Sequence, residues 1–208
     1  MIALFVSAFV TFFVVIDPPG CAPIFAGLTR GTDMAHRAAM AVRSTLVAAA
    51  ILLVFALLGE PLLKTLGISL DAFRIAGGIM LFLIALEMVF EKRQQRREER
   101  AHEIEQHPEQ YEDISIFPMA MPMIAGPGSI ASIMLMMQRS HGLVAHIVVL
   151  GALAVVLAMM MAALLAAGPL MRFLGYKVEA VITRLLGVLL AALAAQFVVD
   201  GVRASFGG

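Results

Sequence analysis

Residues Phe13 to Leu28 read FVVIDPPGCAPIFAGL, an aspartate and three prolines set inside an apolar run that extends from Met1 to Leu28. Without them the run is long enough to cross a bilayer as one helix, since a hydrocarbon core of about 30 Å takes about 20 residues. Proline has no amide hydrogen and clashes with the preceding turn, so a helix entering this stretch stops and restarts. Asp17 is suited to cap the restarted helix and Pro18 to be its first residue. The run has no basic segment ahead of it and no small-residue cleavage site before the break. It is therefore expected to stay as a span and not to be removed as a signal peptide.

The rest of the chain has the same character. Of 208 residues, 61% are hydrophobic and 14% charged, with no tryptophan, and the mean hydropathy is +0.94. A soluble domain of this size has too little interior to hide that much apolar surface. Six spans are predicted, at about 1–28 (broken), 38–58, 68–90, 116–137 (broken), 143–167 and 178–199. The runs are rich in Leu, Ala and Met and lack the alternation of a membrane barrel, so the fold class is an all-α membrane protein.

A counterpart of the opening stretch lies in the second half: Ile124 to Ala131 reads IAGPGSIA. A shift of 108 positions puts Pro19 and Gly20 on Pro127 and Gly128, Pro61 on Pro169, Lys64 on Arg172 and Gly67 on Gly175; after a two-residue slip Arg74 and Gly77 fall on Arg184 and Gly187. A constant offset over this length predicts an internal repeat. Each repeat has three spans, an odd number, so the two are expected to be inverted. The predicted domains are a first repeat at 1–90, a charged linker at 91–115 with a solvated helix that Pro108 ends, and a second repeat at 116–208. Eleven of the fifteen Lys and Arg residues fall after spans one, three and five. By the positive-inside rule the linker is cytoplasmic and both termini face outward.

Irregular backbone at membrane depth needs cover from protein or a water-filled cavity, so two matched breaks point to a shared substrate site. Its candidate residues are Asp17, Pro19, Gly20 and Cys21 from the first break and Gly126, Pro127, Gly128 and Ser129 from the second. Asp17 aligns with Ala125, so one helix start carries an acid while the other offers bare amides, an arrangement suited to the two ends of a small zwitterion. A purely structural reading stands beside it, in which Asp17 is a cap and the glycines allow close packing. Arg74 and Arg184, near the starts of spans three and six, are candidate gating or charge-partner residues, or else snorkel to the interface.

Other chemistry finds little support. The histidines do not form a metal set, and no cofactor motif is present. Ser129 lacks a histidine or lysine partner at matching depth, so no enzyme is predicted. The only cysteine, Cys21, excludes an intramolecular disulfide. With zero formal net charge there is no footprint for nucleic acid.

The blocks FFVVIDPPGCAPIF, LDAFRIAGGIMLFLIALEM, FPMAMPMIAGPGSIA and RLLGVLLAALAAQFVVDGV together resemble the MarC family, a six-span family also classed as neutral amino acid transporters. The resemblance covers nearly the whole chain outside the linker. It implies an inverted three-plus-three repeat in a bacterial inner membrane or an archaeal membrane, and, as reported for some members, transport of small neutral amino acids such as glycine and alanine. No ATP-binding motif is present, so an ion gradient (proton or sodium, with Asp17 as its partner) or the substrate's own gradient is expected to drive it. Export or facilitated passage of another small metabolite or drug is the alternative. The chain departs from the family pattern at Cys21, where many relatives carry a polar residue.

Overall fold

A computed structural model of the chain describes residues 1–92, Gln95, Glu99 and 113–206, with backbone alone at 169–180. The expected helix end at Pro108, with most of the linker, lies outside the described residues. All regular structure among those described is helical.

The broken first span is α1 (Ile2–Ile16) followed by α2 (Pro18–Leu28). Next comes α3 (Met34–Thr65), begun by Asp33, whose carboxylate accepts the His36 N–H at 2.6 Å. At 32 residues it is about 48 Å long, so it projects beyond a 30 Å core. Pro61 lies inside it, and the chain turns only at Gly67, whose φ of +69° suits a residue without a side chain. Ser69 then caps α4 (Leu70–Val89) through the Ala72 N–H.

The second half opens with α5 (Ser115–Ile124), a segment of wide turns interrupted by extended residues at Phe117 and Met121. Each of these precedes a proline, Pro118 or Pro122, and proline pushes the residue before it out of helical conformation. Then follow α6 (Pro127–Arg139), α7 (Leu143–Leu165) and α8 (Ala167–Phe206). The loop expected between spans five and six is absent. Only Ala166 separates α7 from α8, which is helical through Pro169 and Gly175. Pro169 is tolerated because it falls in the first turn of α8, where amide hydrogens have no intrahelical acceptor.

Among the described residues, five helical stretches are long and apolar enough to cross a membrane, or six if the bent α5–α6 pair is counted as one span. Many large apolar residues face outward, among them Leu46, Leu53, Leu58, Leu83 and Leu189. An exterior of this kind is matched by lipid. The interior is built from Phe12, Ile16, Phe25, Leu52, Leu81, Ile133 and Phe197.

Packing runs mainly between the first four helices and the last four: α4 on α8, α1 on α7, α2 on α7 and α8, α3 on α5 and α6, and α4 on α6. The α4–α8 pair is antiparallel and close. A β-carbon on Gly78 would lie 2.7 Å from Val198 Cγ2, one on Gly187 would lie 2.9 Å from Met88 Cβ, and one on Gly201 would lie 2.8 Å from Ile75 Cγ1.

Candidate functional site

At the first junction Asp17 serves two helices at once. Its N–H donates to the Phe13 carbonyl at 2.9 Å, ending α1, while its carboxylate Oδ1 accepts the Gly20 N–H at 3.1 Å, starting α2. The residue sits in the left-handed region (φ 60°, ψ 65°) and is fully buried. Aspartate tolerates this backbone better than most residues because its short polar side chain bonds locally. Gly20 is what lets the carboxylate fold back: a β-carbon there would stand 2.3 Å from Asp17 Oδ2. The interruption is confined to one residue, and Ile2–Leu28 still counts as a single span.

The second junction is sharper. α5 and α6 meet at 52°, with Ala125 and Gly126 between them. Gly126 takes the cap position without any side-chain bond. A side chain there is opposed, because an added β-carbon would lie 2.4 Å from the Pro122 carbonyl oxygen and the backbone would have to shift. Pro127 opens α6, and the Ile130 N–H reaches the Gly126 carbonyl at 3.0 Å. The sequence expectation of an acid on one helix start and none on the other therefore describes the geometry.

The two junctions share a device that inspection of the sequence did not anticipate. Ser129 Oγ donates to the Ile124 carbonyl at 2.7 Å, and Cys21 Sγ donates to the Ile16 carbonyl at 3.6 Å. Each bond runs five residues back across its break, onto the carbonyl of the last residue of the preceding helix, where carbonyls have no partner within their own helix. The signal was available: Cys21 and Ser129, like Ile16 and Ile124, are 108 positions apart. Ser129 is thus held by its own turn, and Ser132 in turn donates to the Ser129 carbonyl at 2.9 Å.

The structure brings the junctions together. A β-carbon on Gly128 would sit 3.4 Å from Val15 Cγ1, two residues before Asp17, and 2.4 Å from Ile84 Cδ1 of α4. Pro19 is half-buried, and Gly20, Cys21, Gly128 and Ser129 are buried. The site is a buried carboxylate at one helix start beside a second helix start bearing no side-chain anion.

Arg74 and Arg184 are not brought to it. Leu81 of α4 lies 3.7 Å from the β-carbon position of Gly128, and Arg74 lies seven residues, about 10 Å, before it, paired with Asp71 of its own helix at 3.1 Å. Arg184 pairs with Glu91 at 2.5 Å, joining the start of the apolar part of α8 to the end of α4. At the opposite end of that helix pair, Arg139 of α6 binds Asp200 of α8 and stacks over the Phe197 ring, 4.3 Å from its centre, while Gln196 Nε2 donates to Asp200 at 2.7 Å. This second tie was missed from sequence. Its signal was Asp200, the one acid in the chain beyond Glu179. Among the described residues, no group of three or more metal-ligating side chains converges.

Comparison with known proteins agrees with the blocks singled out above. Residues 2–206 match the MarC family integral membrane protein profile. A UPF0056 membrane protein of Methanocaldococcus jannaschii is 39% identical over 199 residues, covering 96% of each chain. The UPF0056 inner membrane protein YhgN of Escherichia coli K12 is 33% identical over 198 residues, covering 95% of each, and the UPF0056 membrane protein YvbG of Bacillus subtilis is 32% identical over 206, covering 99% of this chain and 97% of that one. No solved structure matches. The chain belongs to the MarC family and is an integral, multi-pass membrane protein.

Proposed function

We propose that the chain is a secondary transporter of small neutral amino acids, glycine- or alanine-like, with the substrate held between the two helix junctions. The observation that carries this reading is the asymmetric pair of breaks: buried Asp17 on one helix start, and the uncapped start of α6 on the other, packed beside each other through Val15 and Gly128. Asp17 suits an ammonium group, a proton or sodium, and the bare amides suit a carboxylate.

In this reading the two halves are inverted repeats. Support comes from the corresponding helices α4 and α8, which pack antiparallel. The Gly78–Val198 and Gly187–Met88 contacts exchange, to within a residue, when the halves are swapped at the 110-residue offset. Alternating access would then be a rocking of one repeat against the other, with the Arg184–Glu91 and Arg139–Asp200 ties holding opposite ends of the bundle in turn. The distribution of Lys and Arg supports a cytoplasmic linker with both termini outside. Ser129, buried and donating to its own helix, fits a structural role better than that of a nucleophile.

Uptake of labelled glycine and alanine into proteoliposomes, with and without a pH or sodium gradient, tests the proposal. Saturable, gradient-dependent uptake is expected. No movement of either amino acid in either direction, with protein verified as folded, would sink it, and movement of another metabolite instead would turn the reading to an exporter or facilitator of that solute.

A further inference from the structure

Away from the junctions, Gln138 near the end of α6 is 8% exposed, and neither its amide nitrogen nor its amide oxygen has a hydrogen-bond partner. A buried amide left unpaired opposes folding, so its presence asks for a ligand. Gln138 faces a cavity of about 310 Å³ between α3, α6 and α7, shared with Glu60, Lys64 and His146 and walled by Leu57 and Met137. That size is at the lower end of ligand pockets. Glu60 and Lys64 pair across one helical turn at 2.7 Å and are 47% and 67% exposed, so they form the rim while Gln138 forms the floor.

The charges select the ligand. A lone anion meets Glu60 and a lone cation meets Lys64, each unfavourable, whereas a solute carrying both charges can open the rim pair and satisfy each member. The Gln138 amide offers an NH₂ group that donates and a carbonyl oxygen that accepts, which match a carboxylate and an ammonium respectively. The corner related by the 108-residue shift has a similar deficit: Glu60 corresponds to Gly168, against which Arg37 lies with its Nε and Nη2 buried and without hydrogen-bond partners, its guanidinium 6.0 Å from the centre of the Phe25 ring.

We infer that this cavity binds a small zwitterion, a solute with one carboxylate and one ammonium group, at a site separate from the helix junctions. The inference deepens the transport reading, on which it rests for the solute's place in function. It assigns a docking site near one end of the bundle that feeds or empties the central one.

The test is ligand-induced thermal stabilisation of the purified full-length protein by glycine and L-alanine, with acetate, methylammonium and glycerol as controls. Saturable stabilisation by the amino acids alone is expected. Gln138→Leu should weaken the apparent Kd at least tenfold while leaving the ligand-free melting temperature equal or higher, because it removes an unpaired polar group. A side chain needed only for packing would lower it. Glu60→Gln and Lys64→Met, at exposed positions, should each weaken binding at least threefold, and they decide the matter if Gln138→Leu does not fold. Unchanged affinity in a folded Gln138→Leu protein, or in both rim variants, would overturn the inference. So would stabilisation by a control as large as that by glycine. If wild-type protein transports glycine while these variants keep its KM, the cavity assignment falls and the transport reading stands. If zwitterions bind here and no transport occurs, the transport reading falls alone.

Discussion

The Cys21 thiol and the Ser129 hydroxyl make the same bond, 108 residues apart, each to the carbonyl five residues back across a proline break, at 3.6 Å and 2.7 Å. Sulfur is the weaker donor. The first junction therefore has the softer staple and, in the Asp17 carboxylate, an additional cap.

Ser129→Ala leaves the Ile124 carbonyl without this donor inside the bundle. A loss of about 1–3 kcal/mol is expected, read as a lower melting temperature in detergent. Cys21→Ser should be neutral or stabilising by up to about 1 kcal/mol, since it shortens the equivalent bond. If the two substitutions acted alike, the bonds would not be doing equivalent work.

Gly126→Ala drives a β-carbon to 2.4 Å from a backbone oxygen that cannot swing away. Overpacking of this kind costs about 1–3 kcal/mol or more, and the 52° bend should relax. Gly151→Ala is the control: it lies inside α7 with nothing within 4 Å of the added carbon, so a gain of about 0.5–1 kcal/mol from helix propensity is expected. Unfolding curves of both variants check the contrast.

Asp17→Asn keeps an oxygen able to accept the Gly20 N–H, whereas Asp17→Ala removes it. Both should lose gradient-driven uptake in proteoliposomes, but only the alanine variant should lose stability, by about 1 kcal/mol. Transport by Asp17→Asn with unchanged pH dependence would leave Asp17 as a cap alone.

Asp113, just ahead of α5, pairs with Arg43 and accepts the Ser115 N–H at 2.8 Å. Partial burial acts to raise its carboxyl pKa, but the Ser115 bonds and the Arg43 charge outweigh it and hold the pKa below the ordinary carboxylate value. The stabilisation is therefore complete above the unfolded pKa of about 3.9 and fades as pH falls through the lower folded value. The melting-temperature gap between wild type and Asp113→Asn should be constant near neutrality and close in acid. With Arg43 more than half exposed, the ion pair itself should contribute under about 1 kcal/mol.

Features of purely local origin were legible in the sequence. Asp17 followed by two prolines, and Gly126 followed by one, specify where a helix stops and restarts, and the structure has both caps at those residues. The stretch between the spans predicted at 143–167 and 178–199 reads as a loop because it holds Pro169 and Gly175, yet a proline in a first turn costs a helix little. Contacts across the chain were hidden for a different reason. Arg139 and Asp200 are 61 residues apart, and nothing in composition says that the ends of α6 and α8 meet. Gln138 escaped notice because an amide near a helix end is ordinary until its burial is known.

The interleaving of the halves bears on how the chain is made. Most helix packing joins residues 1–89 to residues 115–206, so α1 to α4 enter the bilayer before the surfaces they pack against have been synthesised. A proline break in a waiting span would expose backbone polar groups to lipid. Asp17, Gly20 and Cys21 answer the Phe13 and Ile16 carbonyls and the first amide of α2 from within nine residues. These polar groups of the first junction are therefore answered by near neighbours in the chain, which lowers the cost of holding the nascent half in the membrane until the second arrives.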